Sequence, residues 1–234
     1  MSSIVVPSYA YTVIKIGFLK QLIMDEITLQ KLKEITDIKE FIEFISRYYP
    51  GINLNTYSIE DIEKALFHNY IKLIGKILLY SPLNMRIFLR NYLLKYEIRN
   101  IKHIILGTIL EMSAVDKLSM INKLVEEYLN HTDFIQELIE ISSLDEIQLF
   151  LRPTKYNKVI REGILYFKKT NDIFVLEAFL DQLYYNNMKK EIRLLNKKEK
   201  KFISLYAKAI SEIYNLNLIY RGIINNIDRN LIAQ

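Results

Sequence analysis

The sequence predicts an all-α fold of tandem helical repeats, and three observations carry that prediction. Apolar residues recur every three or four positions almost throughout, the spacing that gives a helix one buried stripe. Only 6 Gly and 4 Pro punctuate 234 residues, too few for the many tight turns of an all-β protein. One pattern also occurs twice. "EIRNIKHIILG" at 97–107 and "EIYNLNLIYRG" at 212–222 share Glu97/Glu212, Ile98/Ile213, Asn100/Asn215, Ile104/Ile219 and Gly107/Gly222, at an offset of 115.

The elements follow in chain order. The opening "MSSIVVPSYAYTVIKIGFLKQLIM" is apolar but has no basic leader, carries Pro7 and is interrupted by Lys15 and Lys20, so it reads as part of the fold and not as a signal segment. The run "IVV" at 4–6 is too brief to build a sheet. From 29 to 49 a single stripe runs through Leu29, Leu32, Ile35, Ile38, Phe41, Ile42 and Ile45, predicting one helix. Ser58 is an N-cap candidate with Asp61 three residues on, opening a helix whose one side holds Ile62, Ala65, Leu66, Tyr70 and Leu73. Ser81 reads as the cap of the next, with Pro82 at the first helical position, where its missing N–H costs nothing. Further helices are expected over 114–130, 132–151, 173–195, 197–214 and 216–228.

The repeated pattern has two physical readings. In both copies the apolar residues step by three, Ile98–Ile101–Ile104 and Ile213–Leu216–Ile219, so each set lies on one helical face. Either Asn100 and Asn215 cap short helices that Gly107 and Gly222 end, or each copy is one longer helix with Asn in a packed interface and Gly permitting close approach. The match extends upstream, where Glu63/Glu177, Leu66/Leu180 and Tyr70/Tyr184 align at an offset of 114. A weaker echo links "DIKEFIEFI" at 37–45 with "LDEIQLFL" at 144–151. Amphipathic patterning alone would not fix Glu, Tyr, Asn and Gly together in order. The chain therefore reads as a duplication of a helical unit, with repeats over 1–112 and 113–234.

Chemistry is signalled nowhere. There is no cysteine, which removes disulfides, thiolate nucleophiles, Fe–S clusters and Cys-based zinc sites. His68, His103 and His131 are scattered, none in a paired-ligand spacing, and a packing or surface role is expected of each, with no metal site. No phosphate-cradling or dinucleotide-binding glycine pattern occurs, and no nucleophile elbow. The carboxylates fit solvated helix faces. A non-catalytic protein without cofactor or small-molecule substrate is the expectation, and no stretch is long and uncharged enough to span a bilayer.

The net charge of +5 is local, because residues 189–201 hold seven basic and two acidic residues. Lys189, Lys190, Arg193, Lys197, Lys198, Lys200 and Lys201 thus form a candidate docking segment between two helices, set against the plainer reading of a solvated loop. The 17 Tyr sit mostly at core-compatible helical positions, where a phenol buries its ring and keeps its hydroxyl paired or wet. An alternative function draws on the same segment: a helical adaptor, or a single-stranded nucleic-acid binder stacking bases on Tyr184 and Tyr185.

Three stretches together resemble a known family. "YAYTVIKIGFLKQLI", "LEAFLDQLYY" and the run from Asn215 to Gly222, echoed by "NIKHIILG" in the first copy, are similar to the C subunit of A-type ATP synthases, whose counterpart in vacuolar ATPases is the d subunit. The resemblance implies an elongated or funnel-like helical bundle and a central-stalk subunit that couples the axle to the membrane rotor ring. It places the chain at the cytoplasmic face of the membrane as a peripheral, non-catalytic part of a proton-transporting rotary motor. The partners it implies are the rotor-ring proteolipid and central-axle subunits, with anionic lipid headgroups as a further contact and no nucleic acid. Arg221 matches the family's basic residue before the Gly, where the first copy has Leu106. That family commonly carries three repeats and two are legible here, so an apolar seam for a partner to cover is expected.

Overall fold

The computed structural model describes residues 9–49 and 58–228, and the Ile-Val-Val run and Pro7 lie outside the described residues. Within them the chain is helical, without strands. It compacts into two units, Met1–Leu89 and Arg90–Gln234. That division follows packing density and falls inside a helix, whereas the repeat junction at 112/113 is a statement about sequence similarity.

The first unit begins with α1 (Ala10–Leu19), a 3₁₀ turn (Lys20–Leu22), α2 (Glu26–Glu34) and α3 (Ile38–Ser46). The single helix expected over 29–49 is thus two. Asp37 breaks it, because its carboxylate accepts the backbone N–H groups of Lys39 at 2.8 Å and Glu40 at 3.1 Å, capping α3. Asp25 caps α2 in the same way through Thr28 N–H. Helix α4 (Ile59–Tyr80) starts on Ser58 as expected, with the Ser58 hydroxyl accepting the Asp61 N–H at 3.1 Å. Ile42, Ile45, Ile62, Ile71 and Leu78 form the buried side of this unit. Thr12 anchors α1 to the end of α4 by donating to the Tyr80 carbonyl, and Tyr11 meets the Tyr80 ring edge-on at 5.8 Å.

Ser81 does not cap the helix that follows it. Its hydroxyl turns back to donate to the Ile77 carbonyl at 2.7 Å, closing α4, while the Pro82 carbonyl accepts the Arg86 N–H as α5 (Leu83–Ile109) opens.

In the second unit the later part of α5 is the central element. Leu93, Leu94, Ile98, Ile101, Ile104 and Ile105 are all buried, as are Asn91, Glu97, Asn100 and Thr108, so this stretch is covered on several sides. The unit continues with α6 (Ala114–Ser119), α7 (Lys123–Leu129), α8 (Thr132–Glu140), α9 (Leu144–Phe150), α10 (Asn157–Thr170), α11 (Phe174–Ile192) and α12 (Lys197–Ile224), with α10 packed on α9 and α11, and α12 on α11. Each helix expected over 114–130 and 132–151 is a pair. Asn122 and Ser143 interrupt them by capping α7 and α9 through the N–H groups of Leu124 and Glu146. Asn130 ends α7 at φ 59°. Helix α10 adds to the expected set. It packs against α11 at Gly163, where a Cβ would lie 2.9 Å from Leu176 Cα.

The two helices expected over 197–214 and 216–228 are one, α12, capped by Asn196 and Glu199 in a reciprocal capping box. Both copies of the repeated pattern therefore lie inside long continuous helices, which decides against short capped ones.

Candidate functional site

Glu97, Asn100, Ile104 and Gly107 fall three, four and three residues apart on α5 and so share a face. The structure turns each into a contact. Asn100 closes on the chain at Asn122: its amide Nδ2 donates to the Asn122 carbonyl and its Oδ1 accepts the Asn122 N–H, both at 3.1 Å. That reciprocal pair satisfies the backbone where the chain breaks between α6 and α7. The same Nδ2 donates to Glu126 Oε1 at 2.8 Å. Gly107 admits the stem of Lys117, whose Cγ would stand 2.6 Å from an added Cβ, and the buried Lys117 reaches on to donate to the Ile141 carbonyl at 2.7 Å. His103 Nδ1 pairs with the Met120 carbonyl at 2.7 Å. The repeated pattern is, in this copy, a set of sockets for the following short helices.

Glu97 is the electrostatic centre. It is 1% exposed, and its Oε1 accepts the Tyr156 hydroxyl at 2.8 Å and lies 3.1 Å from His131 Nδ1, while Lys155 Nζ stands 3.7 Å from Oε2. Burial pushes its carboxyl up, but His131, Lys155 and Tyr156 together outweigh that and hold it below the usual range. Glu126 is fully buried, and burial with the nearby Glu97 charge pushes it up to about 7 despite the Asn100 hydrogen bond. Burial and the Glu97 charge also push the Tyr156 hydroxyl well up, so it remains a donor. Glu97, Glu126 and His131 each offer a ligand atom within 4.8 Å of the others and, among the described residues, are a group that could hold a metal ion. Distances along the chain hid this cluster, since 97, 126 and 131 match no ligand spacing.

The second copy has the same residues and different surroundings. On α12 only Ile203, Ala207 and Gly222 are buried. Asn215 is exposed, and Ile213, Leu216 and Ile219, the counterparts of the buried Ile98, Ile101 and Ile104, are 59%, 68% and 47% exposed. With Phe202, Leu205, the exposed Ala209, Tyr220 and Ile223 they extend an apolar stripe along the helix, in which successive turns are three or four residues apart. The stripe exceeds the scattered exposure normal for a monomer surface.

The basic segment is mostly helix and not loop. Lys189 and Lys190 lie in the last turn of α11, Lys197, Lys198, Lys200 and Lys201 in the first turns of α12, and Arg193 in the short connection between them. All seven side chains are exposed and none is in an ion pair among the described residues. Arg221 stands apart from them. It is 3.4 Å from Glu177 and lies over the Phe174 ring at 4.9 Å, so it helps fasten α12 to α11. Tyr184 is buried and Tyr185 lies against Tyr214 at 4.5 Å, which leaves neither ring free to stack on a base.

The family model described as ATP synthase (C/AC39) subunit matches residues 15–234. The chain is 26% identical over 227 residues to the C subunit of the A-type ATP synthase of Methanocaldococcus jannaschii, covering 92% of this chain and 54% of that protein. The same-named protein of Pyrococcus furiosus is 25% identical over 199 residues, covering 82% and 51%. That of Methanosarcina acetivorans is 26% identical, covering 92% and 58%. The chain thus spans about half the length of the curated relatives it matches. No solved structure matches it significantly.

Proposed function

The chain belongs to the ATP synthase (C/AC39) subunit family, and from that premise we propose that it is a central-stalk subunit of a rotary A-type ATP synthase, joining the axle to the membrane rotor ring without chemistry of its own. The observation that carries this reading is the family match across nearly the whole chain. Two structural features support it. A stalk subunit needs surfaces for neighbours, and the apolar stripe of α12 and the seven exposed cations at the α11–α12 junction supply one of each kind. A coupling element also needs stiffness, and the close seating of α10 on the α11 backbone at Gly163 resists shear.

On this reading the apolar stripe faces other subunits, and the basic junction faces acidic loops of the ring or axle or anionic headgroups at the cytoplasmic membrane face. No helix among the described residues is long and apolar enough to cross a membrane, and the proposed attachment is peripheral. Two helical repeats, 1–112 and 113–234, belong to the same proposal. Affinity capture of the natively expressed chain from mildly solubilised membranes tests it. Co-purification of ring and axle subunits is expected, and a chain recovered without any rotary ATPase component would overturn the assignment.

A further inference from the structure

We propose that Glu97, Glu126 and His131 form a structural site for one divalent transition-metal ion of the Zn²⁺ kind, which pins α7 and the start of α8 to α5. The donor atoms lie within 4.8 Å of one another, so a small contraction brings them to the roughly 2.0–2.2 Å at which Zn²⁺ holds carboxylate oxygen and imidazole nitrogen.

The pattern of hydrogen bonds leaves room for a cation. Each carboxylate has its Oε1 held by a neutral donor, Tyr156 for Glu97 and Asn100 for Glu126. Each has its Oε2 buried without a hydrogen-bond partner. Outer donors that orient one oxygen while the other stays available are what a metal-binding carboxylate requires. Of the two buried carboxylates only Glu97 has an ammonium partner among the described residues, and Glu126 beside it has none. The nearest ammonium, Lys155 Nζ, is 3.7 Å from Glu97 Oε2, beyond hydrogen-bond reach, and its side chain is 39% exposed on a flexible stem. His131 Nδ1 lies 3.1 Å from Glu97 Oε1. To bind an ion through Nδ1 the ring takes the tautomer protonated at Nε2, and any proton held at Nδ1 leaves to solvent as the ion binds.

The donor set selects the ion. Two carboxylates and one imidazole suit Zn²⁺, whereas Mg²⁺ and Ca²⁺ call for nearly all-oxygen shells with more ligands. The burial of both carboxylates suits a structural role in which the ion ties segments together.

The test uses the full chain, stripped with chelator and titrated with Zn²⁺ alone by calorimetry and by thermal unfolding. One equivalent should bind and raise the melting temperature, with Mg²⁺ and Ca²⁺ inert. Glu126→Gln, which keeps the oxygen that Asn100 holds, and His131→Gln should each weaken binding at least about tenfold. Lys155→Gln, which removes the competing ammonium, should tighten it, and His68→Gln should leave it unchanged. Absence of saturable binding, or binding indifferent to both Glu126→Gln and His131→Gln, would overturn the site.

Discussion

Asn100 and Asn215 hold the same place in a repeated pattern and meet opposite surroundings, which makes them internal controls for each other. Asn100 is 2% exposed and spends its amide on both backbone groups of Asn122, so Asn100→Leu strands a buried N–H and C=O at a cost of about 2–4 kcal/mol. Asn215→Leu, on an exposed face, should stay within roughly 0.5 kcal/mol. Denaturant unfolding of the two variants checks this, and equal losses would contradict it. Glu126 gives a pH signature when metal is chelated. Its folded value of about 7 lies above its ordinary 4.5, so the protonated form favours folding. No penalty exists below about 4.5; it grows as pH rises and is complete above about 7, where it is worth roughly 3 kcal/mol. Glu97, held low, acts in the opposite sense, contributing stability that is lost as pH falls through its folded value. Glu126→Gln cannot ionise, so in chelator it should be more stable than the parent at pH 8 and should flatten the fall between pH 4.5 and 7. Parallel stability curves for the two proteins would refute the assignment.

At the scale of elements, two glycines within helices should respond to alanine with opposite signs. Gly17 in α1 has nothing within 4 Å of an added Cβ, so Gly17→Ala should gain about 0.5–1 kcal/mol from helix propensity. At Gly163 the same methyl meets the Leu176 backbone at 2.9 Å, and α10 and α11 must separate, at a cost of about 1–3 kcal/mol. Thermal denaturation of the pair reads both signs directly, and a stabilised Gly163→Ala would show that the two helices are not wedged there. The same elements show what the sequence makes legible. Helical class and the Ser58 cap follow from local periodicity and capping chemistry, and the structure has them. Breaks at Asp37, Asn122 and Ser143 are hidden because apolar spacing continues across them, while the side chains that interrupt the helix are ordinary polar residues there. Helix α10 is hard to read because its inner row alternates Ile160 and Ile164 with Gly163, a residue that normally argues against a helix. The Glu97–Glu126–His131 cluster is illegible along the chain, since it exists only after three separate segments meet.

For the whole molecule, the decisive contrast is one face repeated with two fates. The copy on α5 is buried beneath short helices of the same chain, and the copy on α12 stands exposed on a helix whose first turns carry exposed cations. A lone chain with such a stripe is incomplete in the thermodynamic sense, since apolar area of this kind is stabilised by roughly 25 cal/mol per Å² once covered. Under the proposed function the rotary complex is the place where covering occurs. The most direct measurement installs a photo-reactive residue at Leu216, in the middle of the α12 stripe, and a second at the buried Ile101, then irradiates native membranes and identifies the products. Position 216 is expected to cross-link to ring or axle subunits of a rotary ATPase, and position 101 to react only within its own chain. Products from position 216 that contain no rotary component, with the protein folded and membrane-associated, would contradict it.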